Sequence, residues 1–251
     1  MWAVLSDIHG NLEALAAVQA DLAQFQVSHV FCLGDLVGYG PDPIECIEQA
    51  MAWDVTLLGN IDCVVRLDLD SCAFPPTLEN SLRSTQKALK SRAHCKLWSF
   101  LGSLSRVHTQ GDFLMVHGSP RNPLNEYVFP EDIYNDRKLA RLLPLISRFC
   151  LSGHTHVPGV FVAPETERGR WDYISTDECD GFYRLDGRKS IVNVGSVGQP
   201  RDGNWRACYA LIDGWDVSFR RVEYDVEATV AKIYAIPELG TLCGDRLREG
   251  R

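Results

Sequence analysis

The first 58 residues alternate short apolar runs with stretches of helical period. Trp2-Ala3-Val4-Leu5-Ser6 reads as a strand. Residues 11–26 (NLEALAAVQADLAQFQ) place Leu12, Leu15, Ala16, Val18, Leu22 and Phe25 at helical spacing. HVFCL (29–33) is a second buried strand. PIECIEQAMA (43–52) is a short helix with Pro43 suited to its first turn. DVTLL (54–58) is a third strand. A β-α-β-α-β order predicts parallel strands joined by right-handed crossovers. Parallel strands are buried on both faces, which fits runs that are apolar nearly throughout.

Further along, residues 78–101 predict helix, FLMV (113–116) a strand, Pro130 to Leu143 a helix and RFCLS (148–152) another strand. Beyond Pro158 the texture changes. GVFVA, WDYIS, GFYRL, SIVNV, ACYALI and VSFRRVEY are short β-rich segments split by Gly, Asp or Pro, and they predict a second sheet with antiparallel pairing. The expected architecture is one α/β domain, residues 1–251, with two packed sheets flanked by helices. Thr241 to Arg251 is polar and glycine-containing and is expected to be loosely held.

Composition narrows the function. The chain has 251 residues, 45% of them hydrophobic, enough for one sizeable core. No apolar leader opens the sequence, and no stretch approaches the roughly 18 apolar residues of a membrane span. Nine cysteines are scattered without a CxxC pair, so neither a structural zinc site nor a dithiol motif is indicated. Reduced thiols in the cytoplasm are the simplest expectation. A net charge of −8 disfavours a nucleic-acid polymer as partner.

The strand ends carry the chemistry. Strand one ends in Ser6-Asp7-Ile8-His9-Gly10-Asn11, strand two in Gly34-Asp35 and strand three in Gly59-Asn60. The fourth ends in His117-Gly118 and the fifth in Gly153-His154-Thr155-His156. Ligands of open α/β sheets bind at the carboxyl ends of the strands. Four of the seven histidines fall at these ends. Asp7, His9, Asp35, Asn60, His117, His154 and His156 together exceed what one tetrahedral ion accepts, so two ions are indicated. Imidazoles with carboxylates suit zinc, manganese or iron. Asp35 is the natural bridge between the two.

In order, DxH, GD, GN-x-D, an isolated His after a strand and GHxH resemble the calcineurin-like metallophosphoesterases. The likeness runs from residue 1 to about residue 202. Gly38-Tyr39-Gly40-Pro41-Asp42-Pro43 and Asn193 to Arg201 resemble a bacterial and archaeal subgroup described as phosphodiesterases. The resemblance implies a metallophosphoesterase-like sandwich of two packed mixed β-sheets flanked by helices. It implies one metal on Asp7, His9, Asp35 and His156, and a second on Asp35, Asn60, His117 and His154. It also implies hydrolysis of phosphodiesters or nucleotide anhydrides by a metal-bound hydroxide, with Asp35, Asn60, His117 and Arg201 in catalytic roles. Asn11, Tyr39 and Arg201 are candidates for substrate contact, and the substrate is expected to be small and phosphorylated. Arg121 suits either a phosphate clamp or a surface charge.

One position departs from the family. Its motif places a histidine after the Asn, where it acts as general acid. Here that residue is Ile61, which has no proton to give. Asp62 matches the family's acid and is expected to orient its loop. His29, His94 and His108 read as structural or surface residues, and Cys63 as a small apolar filler. Two alternatives stand beside the leading one: a protein serine/threonine phosphatase, and a non-catalytic metal-binding scaffold of the same fold.

Overall fold

The computed structural model describes residues 1–67, 76–90, 94–166 and 169–251. Two mixed six-stranded sheets stack face to face, with helices on their outer sides. In the first sheet, β1 (Trp2–Leu5) runs parallel to β2 (His29–Cys32), which runs parallel to β3 (Val55–Thr56). Helices α1 (Leu12–Leu22) and α2 (Pro43–Ala50) make the two crossovers. This is the parallel unit the sequence predicts.

The second sheet is assembled differently from expectation. Its members are β4 (Val107–Gln110), β5 (Phe113–Val116), β6 (Phe149–Ser152), β7 (Gly159–Val162), β8 (Asp172–Ser175) and β10 (Ser190–Asn193), in the order β4-β5-β6-β10-β7-β8. β5, β6 and β10 are mutually parallel. The remaining late strands, β9 (Phe182–Arg184), β11 (Ala207–Asp213) and β12 (Asp216–Val222), extend the first sheet. They do so by antiparallel pairing of β11 with β1, where Trp2 faces Ile212. The late β-rich segments are thus shared between the sheets, because β1 has a free edge that only a later strand can cover.

Alternation along the strands explains the layers. Val4 packs between the sheets with Phe31, Leu151, Val192 and Ala210. Its neighbours Ala3 and Leu5 turn outward to Leu15 and Val18 of α1 and Ile47 of α2. On the far face Val116, Cys150 and Ile191 pack under Leu139 and Leu142 of α6 (Asp136–Leu142).

Several boundaries move. The helix expected over Pro130–Leu143 is a 3-10 turn at Pro130–Tyr134, and α6 restarts after Asn135. The Asn135 side chain caps Lys138 N, which terminates one helix and begins the next. The stretch 78–101 divides into α4 (Pro76–Leu89) and α5 (Cys95–Ser103). Asn60–Leu67 forms a helix, α3, directly after the short β3. The end of the chain is not loose. α7 (Val226–Ala235) and α8 (Thr241–Glu249) pack through Val230, Ile233, Leu239, Cys243 and Leu247. The eight described cysteines are free; Cys72 lies outside the described residues. Among the described residues, no helix is long and apolar enough to cross a membrane.

Candidate metal centre

The seven strand-end residues converge at the carboxyl ends of β1, β2, β3, β5 and β6 as two buried clusters. Ligand atoms of Asp7, His9 and His156 lie within 4.8 Å of one another, as do those of Asp35, His117 and His154. In the first cluster, His156 Nε2 is 3.1 Å from Asp7 Oδ1 and 3.2 Å from His9 Nε2. In the second, His117 Nε2 is 3.0 Å from both His154 Nδ1 and Asn60 Oδ1. Asp35 Oδ2 stands between them, 3.3 Å from His117 Nε2 and 3.8 Å from His9 Nε2.

The backbone fixes which atoms face inward. His9 Nδ1 donates to Val37 O at 2.9 Å and His117 Nδ1 to Leu33 O at 3.2 Å; His156 Nδ1 donates to Gln199 O. A carbonyl oxygen can only accept, so each Nδ1 holds a proton and each Nε2 is the ring nitrogen aimed into the clusters. Asp7 Oδ2 accepts from His154 N at 3.0 Å, while the buried Oδ1 has no hydrogen-bond donor. Asp35 Oδ1 accepts from Ile61 N at 2.8 Å, which leaves Oδ2 for the space between the clusters. Oxygen and ring-nitrogen ligand atoms converging at about 3 Å repel unless a proton or a cation lies among them, so the residues fit a pair of divalent metals.

Electrostatics agree. Burial opposes ionisation of Asp7 and Asp35. The facing imidazoles outweigh it and hold both below the ordinary carboxylate pKa, Asp7 well below. Burial and the neighbouring His156 push His9 down to about 4; burial and His117 push His154 down to about 3. Burial also acts to lower His117, but Asp35 and Asp7 win and lift it to about 9.

Local sequence makes the convergence possible. Asp7, His9, Asp35, His154 and His156 all have positive φ, between 50° and 67°. Side chains resist that region, and residues forced into it cluster at functional sites. Glycines next to them permit close approach. A Cβ on Gly59 would lie 2.0 Å from Asp35 Oδ1, and one on Gly153 would lie 2.0 Å from Ser6 Oγ. Asp62 meets its expected role: it accepts from Leu36 N, Val37 N and Gly59 N, tying the β2 and β3 loops together. Burial, then the charge of Asp35, lifts its pKa to about 7. Ser196 Oγ and Gly198 N donate to Asp7 O, so the 193–201 loop clamps the end of β1.

The rim of the cleft is Tyr39, Ile61, Tyr127 and Arg201. The Arg201 guanidinium lies 5.6 Å over the Tyr39 ring, and Tyr39 meets His9 edge-on at 4.9 Å. Asn11 is not a rim residue. It is buried and fully engaged: Oδ1 caps α1 at Ala14 N and accepts from Thr229 Oγ1, and Nδ2 donates to Gly198 O. The substrate contact expected of it is therefore replaced by a structural one that pins α7 to α1. Arg121 is committed to an ion pair with Glu126. His29 pairs with Asp54, His94 bonds Ala88 O and His108 packs by Phe31, all outside the clusters. Cys63 is buried beside Leu58 and Leu124. Tyr127, stacked on His154 at 3.8 Å and 15°, was invisible to motif reading because it sits in none of the motifs.

A model of the calcineurin-like phosphoesterase superfamily domain matches residues 1–215. The chain belongs to that superfamily. An uncharacterized protein of Methanocaldococcus jannaschii is 33% identical, covering 100% of this chain and 98% of its own. The crystal structure of a metallophosphoesterase from Sphaerobacter thermophilus superposes with a TM-score of 0.83 at 32% identity, covering 99% of each chain. A hypothetical protein of Pyrococcus horikoshii shares the fold, with a TM-score of 0.72 at 23% identity over 100% of this chain and 98% of that one. The calcineurin-like sandwich expected from the motifs is the fold observed.

Proposed function

We propose that this calcineurin-like protein is a dinuclear metal-dependent phosphoesterase for small phosphodiesters or nucleotide phosphoanhydrides. The observation that carries the reading is the single oxygen, Asp35 Oδ2, facing both ligand clusters. Asp7, His9, Asp35 and His156 would hold one ion. Asp35, Asn60, His117 and His154 would hold the other. Four imidazoles, two carboxylates and an amide oxygen suit manganese, zinc or iron. Bound there, the metals would supply a nucleophile by acidifying water and would neutralise charge on the phosphoryl group.

The chain's own residues orient the substrate. Arg201 donates from Nη2 to Gln199 Oε1 at 2.8 Å, and its Nε is buried without a partner. Arg201 lines the cleft, where its outer guanidinium N–H groups suit a phosphoryl oxygen, and the Tyr39 ring beneath holds the fork in place. Ile61 lines the cleft where the family places its proton donor and contributes only an apolar wall. Leaving groups that depart without protonation, such as phenolates and phosphates, are favoured; alkoxides are not. The same argument ranks phosphoserine proteins below small esters. The net charge of −8 ranks nucleic-acid polymers below nucleotides.

The test is turnover by manganese-loaded protein of an aryl phosphodiester, an aryl monoester, a dinucleoside polyphosphate and a phosphopeptide. Diester or anhydride turnover that disappears in Asp35→Ala supports the reading. Inertness toward all four with metal bound refutes it, and selective turnover of the phosphopeptide redirects it to a protein phosphatase.

A further inference from the structure

The loop between β5 and α6 carries two aromatic side chains that the metal clusters do not explain. Val128 is 3% exposed, whereas Tyr127 and Phe129 on either side keep 40% and 41% of their surface in solvent. The backbone at Phe129 is extended, with φ −87° and ψ 156°. Alternate residues of extended chain share a face, so the two rings project on the same side. They lie 5.1 Å apart between centroids and 10° from parallel. Tyr127 in turn stacks on His154. The result is a three-ring ladder that begins at a cluster residue and ends in solvent.

The ladder is held stiffly. Gly118 N donates to Pro123 O at 2.6 Å and Ser119 N to Asn122 O at 3.1 Å; Asn122 Oδ1 accepts from Asn125 N at 3.2 Å. Phe129 N donates to Asp132 Oδ2 at 2.8 Å. Leu124 and Val128 are buried on the inner side of the same loop. Rings fixed in this way lose little rotamer freedom when a ligand lies against them. An aromatic ring left out of the core forgoes a large burial gain, so a stiff loop that displays two calls for something to cover them. The inner ring lines the cleft with Ile61 and Arg201, which makes the natural cover a group attached to phosphorus.

We propose that Tyr127 and Phe129 form a stacking subsite for a planar aromatic group carried by the phosphorus substrate. The inference rests on the phosphoesterase reading and narrows it to aryl and nucleoside phosphates, in preference to purely aliphatic ones. Phe129 presents its outer face, and Tyr127, stacked between His154 and Phe129, presents its edge.

Calorimetric binding to the manganese-loaded protein tests this with two matched pairs. Adenosine 5′-monophosphate against ribose 5-phosphate reads a nucleobase; phenylphosphonate against methylphosphonate reads a simple aryl group. Stacking predicts about tenfold or greater preference for the aromatic member of at least one pair. Which pair shows it identifies the source. Phe129→Ala should erase most of the preference and Phe129→Tyr should keep it, with two manganese ions bound per chain in each variant. Equal affinities within both pairs, or a preference that survives Phe129→Ala, overturn the subsite. If the preference is absent while methyl 4-nitrophenyl phosphate is hydrolysed, the subsite falls and the phosphoesterase reading stands. If the preference is present while no ester is hydrolysed, the reverse holds.

Discussion

Replacing Ile61 with histidine restores a proton donor to the cleft, and its two consequences can be sized separately. The first is structural. Ile61 is 3% exposed and belongs to the cluster that contains Val65, Leu78 and Leu82. Losing that apolar burial costs about 1.5–3 kcal/mol, which at this chain length lowers Tm by about 3–12 °C. The hydrogen bond from Ile61 N to Asp35 Oδ1 is a backbone contact and survives the exchange. The second consequence is chemical. A placed general acid contributes about 10²–10⁴-fold, or about 2.7–5.4 kcal/mol of barrier. A new imidazole without its own orienting partners delivers less. The assay is a series of aryl phosphodiesters of graded phenol acidity, with log kcat/KM plotted against leaving-group pKa. The native protein should give a steep line. Ile61→His should give a shallower one, with the largest gain for the poorest leaving group. Its activity should fall as pH rises past the imidazole pKa of about 6.5, because the charged form is the donor. A shallow line in the native protein refutes the reasoning, since another group would already be protonating the leaving oxygen.

Asp35→Asn should lose both metals, because a neutral amide bridges cations poorly, whereas Asn60→Ala should lose mainly one; metal content per chain separates the two, and equal losses contradict bridging. Metal binding at pH 7.5 should release about one proton from His117, whose folded pKa of about 9 leaves it charged until a cation displaces the proton. Calorimetry in buffers of different ionisation enthalpy reads this release, and affinity should rise with pH through that value. Asn11→Ala should lower stability by about 2–4 kcal/mol through the lost cap and stranded partners, while metal content stays full; depleted metal would return Asn11 to the site.

The cluster residues were legible because each stands at a strand end beside a turn residue, and order along the chain substitutes for proximity in a parallel sheet. That Asp35 Oδ2 faces both clusters follows from its place between β1 and β3. Position could not reveal use in the case of Asn11. Its neighbours in sequence join the clusters, yet its amide is consumed by Gly198 O, Tyr224 Oη and Thr229 Oγ1, 187 to 218 residues away. The division of late strands between two sheets was illegible for a related reason. β11 and β10 have similar apolar patterns, and only the free edges of β1 and β6 decide which goes where. Tyr127 reaches His154 through the fold alone, so no local pattern announces it. Helix α8 is mostly polar, and its buried stripe of Cys243 and Leu247 exists only because α7 lies against it.

Among the described residues, six of the seven non-glycine positions with positive φ are Asp7, His9, Asp35, Tyr39, His154 and His156. At every one of these the backbone would be more comfortable as glycine, by about 1–2 kcal/mol. The chain is therefore most improvable where it is most specialised. A library of this sequence sorted only for expression and thermal resistance should drift toward glycine at these six sites and emerge sturdier and chemically inert. Efforts to harden the protein should leave them fixed and look for gains elsewhere, such as on the exposed faces of α7 and α8.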